Sequence, residues 1–162
     1  MAVDMFLQLD GVAGESQDGS HKDQIDILSW SWGARQSGTG HVGGGAGAGK
    51  VEVQDLTITK YVDKSSPNIF FLCCQGKHIP KANLFVRKAG GEKPVEYVKI
   101  ALEKVFVTAY QTGGTTDQDL ITETVTLNFA KSKIEYVPQD GEGNPLPSLT
   151  KGWDVAANKE WS

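Results

Sequence analysis

The pattern of apolar and polar positions along the chain is mostly one of strict alternation, the signature of half-buried strands. Val3, Met5, Leu7 and Leu9 alternate with Asp4 and Gln8, interrupted only by Phe6, and predict a first strand. Leu28, Trp30 and Trp32 then fall opposite Ser29 and Ser31, so the two tryptophans are expected to anchor a core while both serines point away from it. Val51 and Val53 start another alternation that slips phase at Gln54-Asp55 and resumes at Leu56 and Ile58; such a slip predicts a β-bulge. Ala82, Leu84 and Val86, then Val95 to Tyr110, then Ile121, Glu123, Val125, Leu127 and Phe129 continue the strand pattern. A second slip carries it on at Ile134 and Tyr136, again read as a bulge, and Trp153 and Val155 suggest a last short strand.

One stretch departs from this rhythm. Ser66 before Pro67 reads as an N-cap with proline at the first helical position, and Gly76 as the stop. Between them Ile69-Phe70-Phe71-Leu72-Cys73-Cys74 is apolar all round. A helix on a free surface needs a polar face, so this one is expected to pack on its own sheet and also to touch a neighbour. Seven to nine strands with a single helix, and no βαβ rhythm, predict an all-β barrel or sandwich with one helix attached.

A second stretch has nothing to pack. Seven glycines fall from Gly38 to Gly49, too few side chains to offset the entropy of ordering by burial within one subunit. Either it stays mobile or another chain orders it. Its glycines also imitate nucleotide motifs. Gly44 to Lys50 matches the start of a phosphate-binding loop, but Val51 stands where a hydroxyl is needed and a strand follows where a helix is needed. Gly38 to Val42 followed by Gly43 spells a dinucleotide fingerprint with the same missing helix. Neither is read as a nucleotide site.

Composition narrows the function classes. With 162 residues the chain is read as one domain, residues 1–162. A formal net charge of −4 argues against a nucleic-acid partner, where basic surface supplies the affinity. No apolar run reaches the ~20 residues of a membrane helix, so membrane insertion is not expected. The first residues show neither a basic nor an apolar signal region, and no cleaved signal peptide is expected. Adjacent Cys73 and Cys74 rarely meet disulfide geometry and are read as two buried reduced thiols. His21, His41 and His78 are scattered without zinc spacing, and no Gly-x-Ser-x-Gly elbow or paired nucleophile and base occurs. The reading is therefore no enzyme, no cofactor and no metal. Lys77, Lys81, Arg87, Lys88 and Lys93 form one locally basic stretch, read as a solvated hairpin end.

Five stretches, in order and with close spacing, carry a family resemblance: VDMFLQLDGVAGES at 3–16, IDILSWSWGARQSG at 25–38, GGGAGAGKVEVQDLTITKYVDKSSPN at 43–68, GKHIPKANLFVRKAGG at 76–91 and TLNFAKSKIEY at 126–136. In these the chain resembles the Hcp proteins, the tube subunits of the bacterial type VI secretion system. Residues 139–162 are the variable portion. The resemblance implies a small barrel of two packed sheets flanked by a short helix, and a homohexameric ring whose copies stack into a hollow tube. It implies as partners further copies of the chain, a spike protein at the tip, the contractile sheath and baseplate, and small effector proteins in the lumen. It implies residence in the bacterial cytoplasm before firing and release outside the cell or into a target cell. The alternative is a ring-shaped effector-binding chaperone without a main tube role. Under this reading Ser29 and Ser31 face the lumen, and Gly43, Gly44, Gly45, Gly47, Gly49, Lys50, Phe70 and Phe71 lie at subunit or ring interfaces.

Overall fold

The computed structural model describes residues 3–38, 50–88 and 94–162. In chain order these form β1 (Val3–Leu9), β2 (Ile25–Asp26), β3 (Ser29–Ser31), β4 (Ala34–Arg35), β5 (Glu52–Val53), β6 (Leu56–Tyr61), α1 (Ser66–Gln75), β7 (Ile79–Lys88), β8 (Glu96–Gly113), β9 (Thr122–Asn128), β10 (Lys131–Tyr136), β11 (Leu149–Asp154) and β12 (Lys159–Glu160). Among the described residues the fold is mostly β with one helix, as the alternation predicts.

Ten of the strands form one antiparallel ladder that β8 folds into two arms. The first half of β8 pairs with β7 and β10, in an arm ordered β12-β11-β10-β8-β7-β1-β2. Its second half, from Phe106, pairs with β9, which pairs with β6 and then β3. Between the halves Lys104 takes a positive φ of 53°, a left-handed kink that costs a non-glycine residue energy and turns the strand. The arms face each other over one core, with Leu7, Leu84 and Ile100 from the first and Leu56, Ile58, Val125 and Leu127 from the second.

The ladder does not close into a barrel among the described residues. Its free edges are instead joined by the backbone at Ile27 and Leu28. The Ile27 N–H donates to Met5 O in the first arm (3.0 Å) and the Leu28 N–H to Thr59 O in the second (2.8 Å). The expected single tryptophan strand is thus three short pieces, and its phase changes at the crossing. Ile27 is buried, Trp30 and Trp32 pack partly on the core, and Leu28, expected inside, is 42% exposed.

The two expected bulges are instead changes of partner. After Val53, β5 leaves its two-stranded sheet with β4, and β6 joins the second arm. After Asn128, the chain leaves the second arm and β10 enters the first. The register shifts lie elsewhere, between Val86 and Arg87 and between Val107 and Ala109.

Helix α1 starts one residue earlier than its capping pattern suggests. Ser65 precedes it with helical backbone and makes no side-chain cap, Ser66 is its first residue, and Pro67 follows. Gly76 ends it at φ 63°, donating its N–H to Leu72 O, the left-handed cap that glycine adopts without strain. Of its residues only Ser66 and Ile69 are buried. The cysteines are not both buried: Cys73 is half-buried and Cys74 exposed, because they lie on the flank and outer face of a helix that touches its sheet along one narrow line.

Candidate functional site

Three features stand out once the chain is folded: a hydroxyl-rich sheet face, an exposed aromatic helix face, and a buried ionic network beneath the helix.

The sheet face follows from register. Ser29 lies opposite Thr59 and Ser31 opposite Thr57, and Thr59 and Thr57 lie opposite Thr124 and Thr126 on the next strand. Directly opposed residues of neighbouring strands share a face. The two exposed serines therefore continue across β6 and β9 as rows of uncharged hydroxyls, on the side away from Leu56, Ile58, Val125 and Leu127. The Thr-x-Thr repeats at 57–59 and 122–126 were the available signal; only their pairing with Ser29 and Ser31 makes them one surface.

The helix face is the reverse in character. Phe70 and Phe71 are 55% and 58% exposed, and α1 carries no charged residue in its first or last turn. Phe70 meets Tyr110 of β8 edge-on, with ring centroids 6.0 Å apart, beside an open groove that Thr112, Thr122 and Thr124 also line. A second exposed apolar patch lies on the other arm, where Tyr136 pairs directly with Leu149 and Ile134 sits two residues along β10. Lys50 is exposed, whereas Gly43, Gly44, Gly45, Gly47 and Gly49 lie outside the described residues.

The ionic network was not anticipated. Lys60 continues the inward phase of Leu56 and Ile58, Glu123 that of Val125 and Leu127, and both are fully buried. They are opposite neighbours on β6 and β9, and their side chains form a direct ion pair. The Lys60 ammonium also donates to Tyr61 O (3.0 Å) and Ser66 Oγ (3.3 Å) and lies 3.1 Å from Asp63 Oδ1. Ser66 Oγ accepts from the Asp63 N–H (3.0 Å) and donates to Glu123 Oε1 (2.6 Å), while the Tyr110 hydroxyl donates to Glu123 Oε2. Ser66 is the first helical residue, and its hydroxyl serves this network. Burial, and then the Glu123 carboxylate, push the Tyr110 hydroxyl up to about 12. A serine beside a lysine invites a nucleophilic reading. Here Ser66 is 3% exposed and its proton is held by Glu123, which gives an arriving substrate no approach. The signal in the sequence was a charge at a core-phase position on each of two strands.

A second buried group lies on the opposite side of the first arm. His21 is 4% exposed, stacked on Phe6 at 4.4 Å, and its two ring nitrogens meet Gln24 Oε1 (3.0 Å) and the Glu96 carboxylate. Nearby, Arg87, expected in a solvated basic hairpin end, is 8% exposed because it bonds Asp18 (Nη1 to Oδ1, 3.0 Å) and Asp4 (3.1 Å) over the Phe6 ring. Together these contacts pin the 11–24 connection to the sheet. Among the described residues no cluster of His, Cys, Asp and Glu could hold a metal ion, and no helix is long and apolar enough to cross a membrane.

Comparison with known proteins places this architecture. The family described as "Type VI secretion system effector, Hcp" matches residues 6–136. The chain is 52% identical over 159 residues to Protein hcp1 of Pseudomonas aeruginosa, covering 98% of each chain. A solved Hcp1 from Salmonella typhimurium is 40% identical, covers 99% of this chain and 100% of its own, and superposes with a TM-score of 0.80. A solved type six secretion system protein, 31% identical with the same coverage, reaches 0.91. The folded arms, the lone helix and these likenesses over nearly the whole length agree, and the chain belongs to the Hcp family of type VI secretion proteins.

Proposed function

We propose that this chain is a structural subunit of the type VI secretion tube, associating with its own copies into rings that stack and carry effector proteins inside. The observation that carries the reading is the aromatic face of α1. Two phenylalanines more than half exposed on an uncharged helix make a surface that a partner is needed to cover. Closed rings use heterologous contacts, in which two different patches of one subunit meet. The α1 face on one arm and the Ile134, Tyr136 and Leu149 patch on the other supply two such surfaces.

The rows of Ser29, Ser31, Thr57, Thr59, Thr124 and Thr126 support an inward, water-lined wall. Hydroxyls without charge can hydrogen-bond many protein surfaces without demanding a fixed partner charge. In this reading Lys50 and the glycines 43–49 lie at contacts between subunits or rings. The spike, sheath and baseplate are partners at the ends and outside of the stacked tube, and the effectors are partners within it. In this reading the protein leaves the bacterial cytoplasm by this machinery.

Light scattering after size exclusion, with negative-stain images of the peak, tests the proposal. A species of six times the 17.5 kDa subunit mass with an open centre supports it, and end-to-end stacks support the tube role over that of a free carrier ring. A monomer at high concentration overturns it.

A further inference from the structure

We propose that the buried network of Lys60, Glu123, Ser66 and Tyr110 is an orientation lock for α1, holding the helix in the one rotation and register that displays Phe70 and Phe71 to a second copy of this chain. The inference rests on the self-association reading above and names the residues that would position its interface.

The apolar grip on α1 is slight. Ile69 is its single fully buried apolar side chain, with Leu72 and Cys73 only partly covered. Apolar burial is also non-directional, so a ten-residue helix held by so few contacts could roll or slide at little cost. Hydrogen bonds have direction. Those at Ser66 fix the first residue of the helix at once to β6 through Lys60 and to β9 through Glu123. The Asp63 N–H, donating to the same hydroxyl at 3.0 Å, ties in the connection that enters the helix.

The network also reaches the display face. Tyr110 donates its hydroxyl to Glu123 and presents its ring edge-on to Phe70 at 6.0 Å. A chain of contacts thus runs from Lys60 through Glu123 and Tyr110 to an exposed ring of the proposed interface. A buried ion pair adds little stability over well-packed apolar residues of the same volume, so direction is what this one supplies.

The test uses the full chain and two variants. Lys60→Met/Glu123→Leu removes both charges at similar volume; Tyr110→Phe removes a single hydroxyl and keeps the ring. Each is read by circular dichroism and thermal midpoint for the fold, by amide hydrogen exchange of residues 66–75, and by solution mass across a dilution series. The double variant is expected to retain the β-fold, while α1 amides exchange about 10-fold faster and self-association weakens about 10-fold. Tyr110→Phe is expected to move both in the same direction by a smaller factor. Wild-type α1 exchange and association in a folded double variant overturn the lock. If the double variant does not fold, unchanged α1 exchange in Tyr110→Phe overturns it. A monomeric wild type sinks the tube reading instead, and the exchange contrast within α1 still decides the lock.

Discussion

Lys60 and Glu123 stand directly opposite one another on β6 and β9, 63 residues apart in sequence, as an ion pair with no exposed side-chain surface. Removing either partner leaves the other charge buried, Glu123 with only the Ser66 and Tyr110 hydroxyls and Lys60 with only Asp63 as counter-charge. Glu123→Leu or Lys60→Met alone is expected to cost about 3–5 kcal/mol, far more than the paired replacement. Urea unfolding of the three variants checks this; single variants as stable as the double would mean the charges are not coupled.

The exposed helix face predicts the opposite balance of effects. Phe71→Ser is expected to leave the stability of an isolated subunit within about 0.5 kcal/mol, because a surface side chain is removed. The same change is expected to lower the solution mass. Cys74, four residues after Phe70 and thus on the same side of α1, supplies a convenient reporter. Its thiol should react readily with a maleimide in dilute subunits and become protected on assembly. Equal reactivity in subunit and assembly would place the interface elsewhere.

On the hydroxyl face, Ser31→Gln puts a bulkier group at the proposed inner wall without disturbing the core. It is expected to reduce effector retention in co-purification while leaving ring mass unchanged. A ring that falls apart would show that this face meets a neighbouring subunit.

Asp18 gives a pH dependence. The hydrogen bond from Arg87 holds its carboxyl well below the ordinary carboxylate value of 3.8. A depressed folded-state pKa means stability that is fully present above the unfolded value and lost as pH falls toward the folded one. The urea midpoint should therefore drop between about pH 5 and pH 2, and Asp18→Asn should flatten that part of the curve. A parallel drop in the variant would assign the acid sensitivity to other carboxylates.

Gly152 on β11 sits beneath the C-terminal segment. A Cβ there would lie 2.6 Å from Trp161 O and 3.1 Å from Ser132 O, both backbone atoms. Trp161 also donates its N–H to Gly152 O, and the Lys131 and Lys133 ammoniums lie over its ring. Gly152→Ala is expected to cost about 1–3 kcal/mol and to free the last residues. Carboxypeptidase trimming of folded protein measures the second effect; unchanged trimming would show that the tail follows the strand without strain.

Much of the local structure was legible along the chain. Alternation marked the inward Leu56, Ile58, Val125 and Leu127 correctly, and Pro67 with Gly76 bounded the helix to within a residue, because backbone stereochemistry and side-chain period act over a few positions. The family was legible too, from five stretches in order. What alternation could not tell was which strand changes partner. A phase slip looks the same whether it is a bulge or a change of partner strand, and at Gln54-Asp55, at Phe129-Ala130 and at Ile27-Leu28 it is the change of partner. That misplaced Leu28, whose backbone already belongs to the second arm. The charges at Lys60 and Glu123 lay in plain view at core-phase positions, but a lone buried charge is only costly. It becomes tolerable through a partner 63 residues away, and that pairing exists only once β6 and β9 are in register. Helix and strand identity are local properties of the chain; the lock beneath α1, the joined hydroxyl rows and the exposed aromatic face are properties of contacts between distant segments, which only the tertiary structure decides.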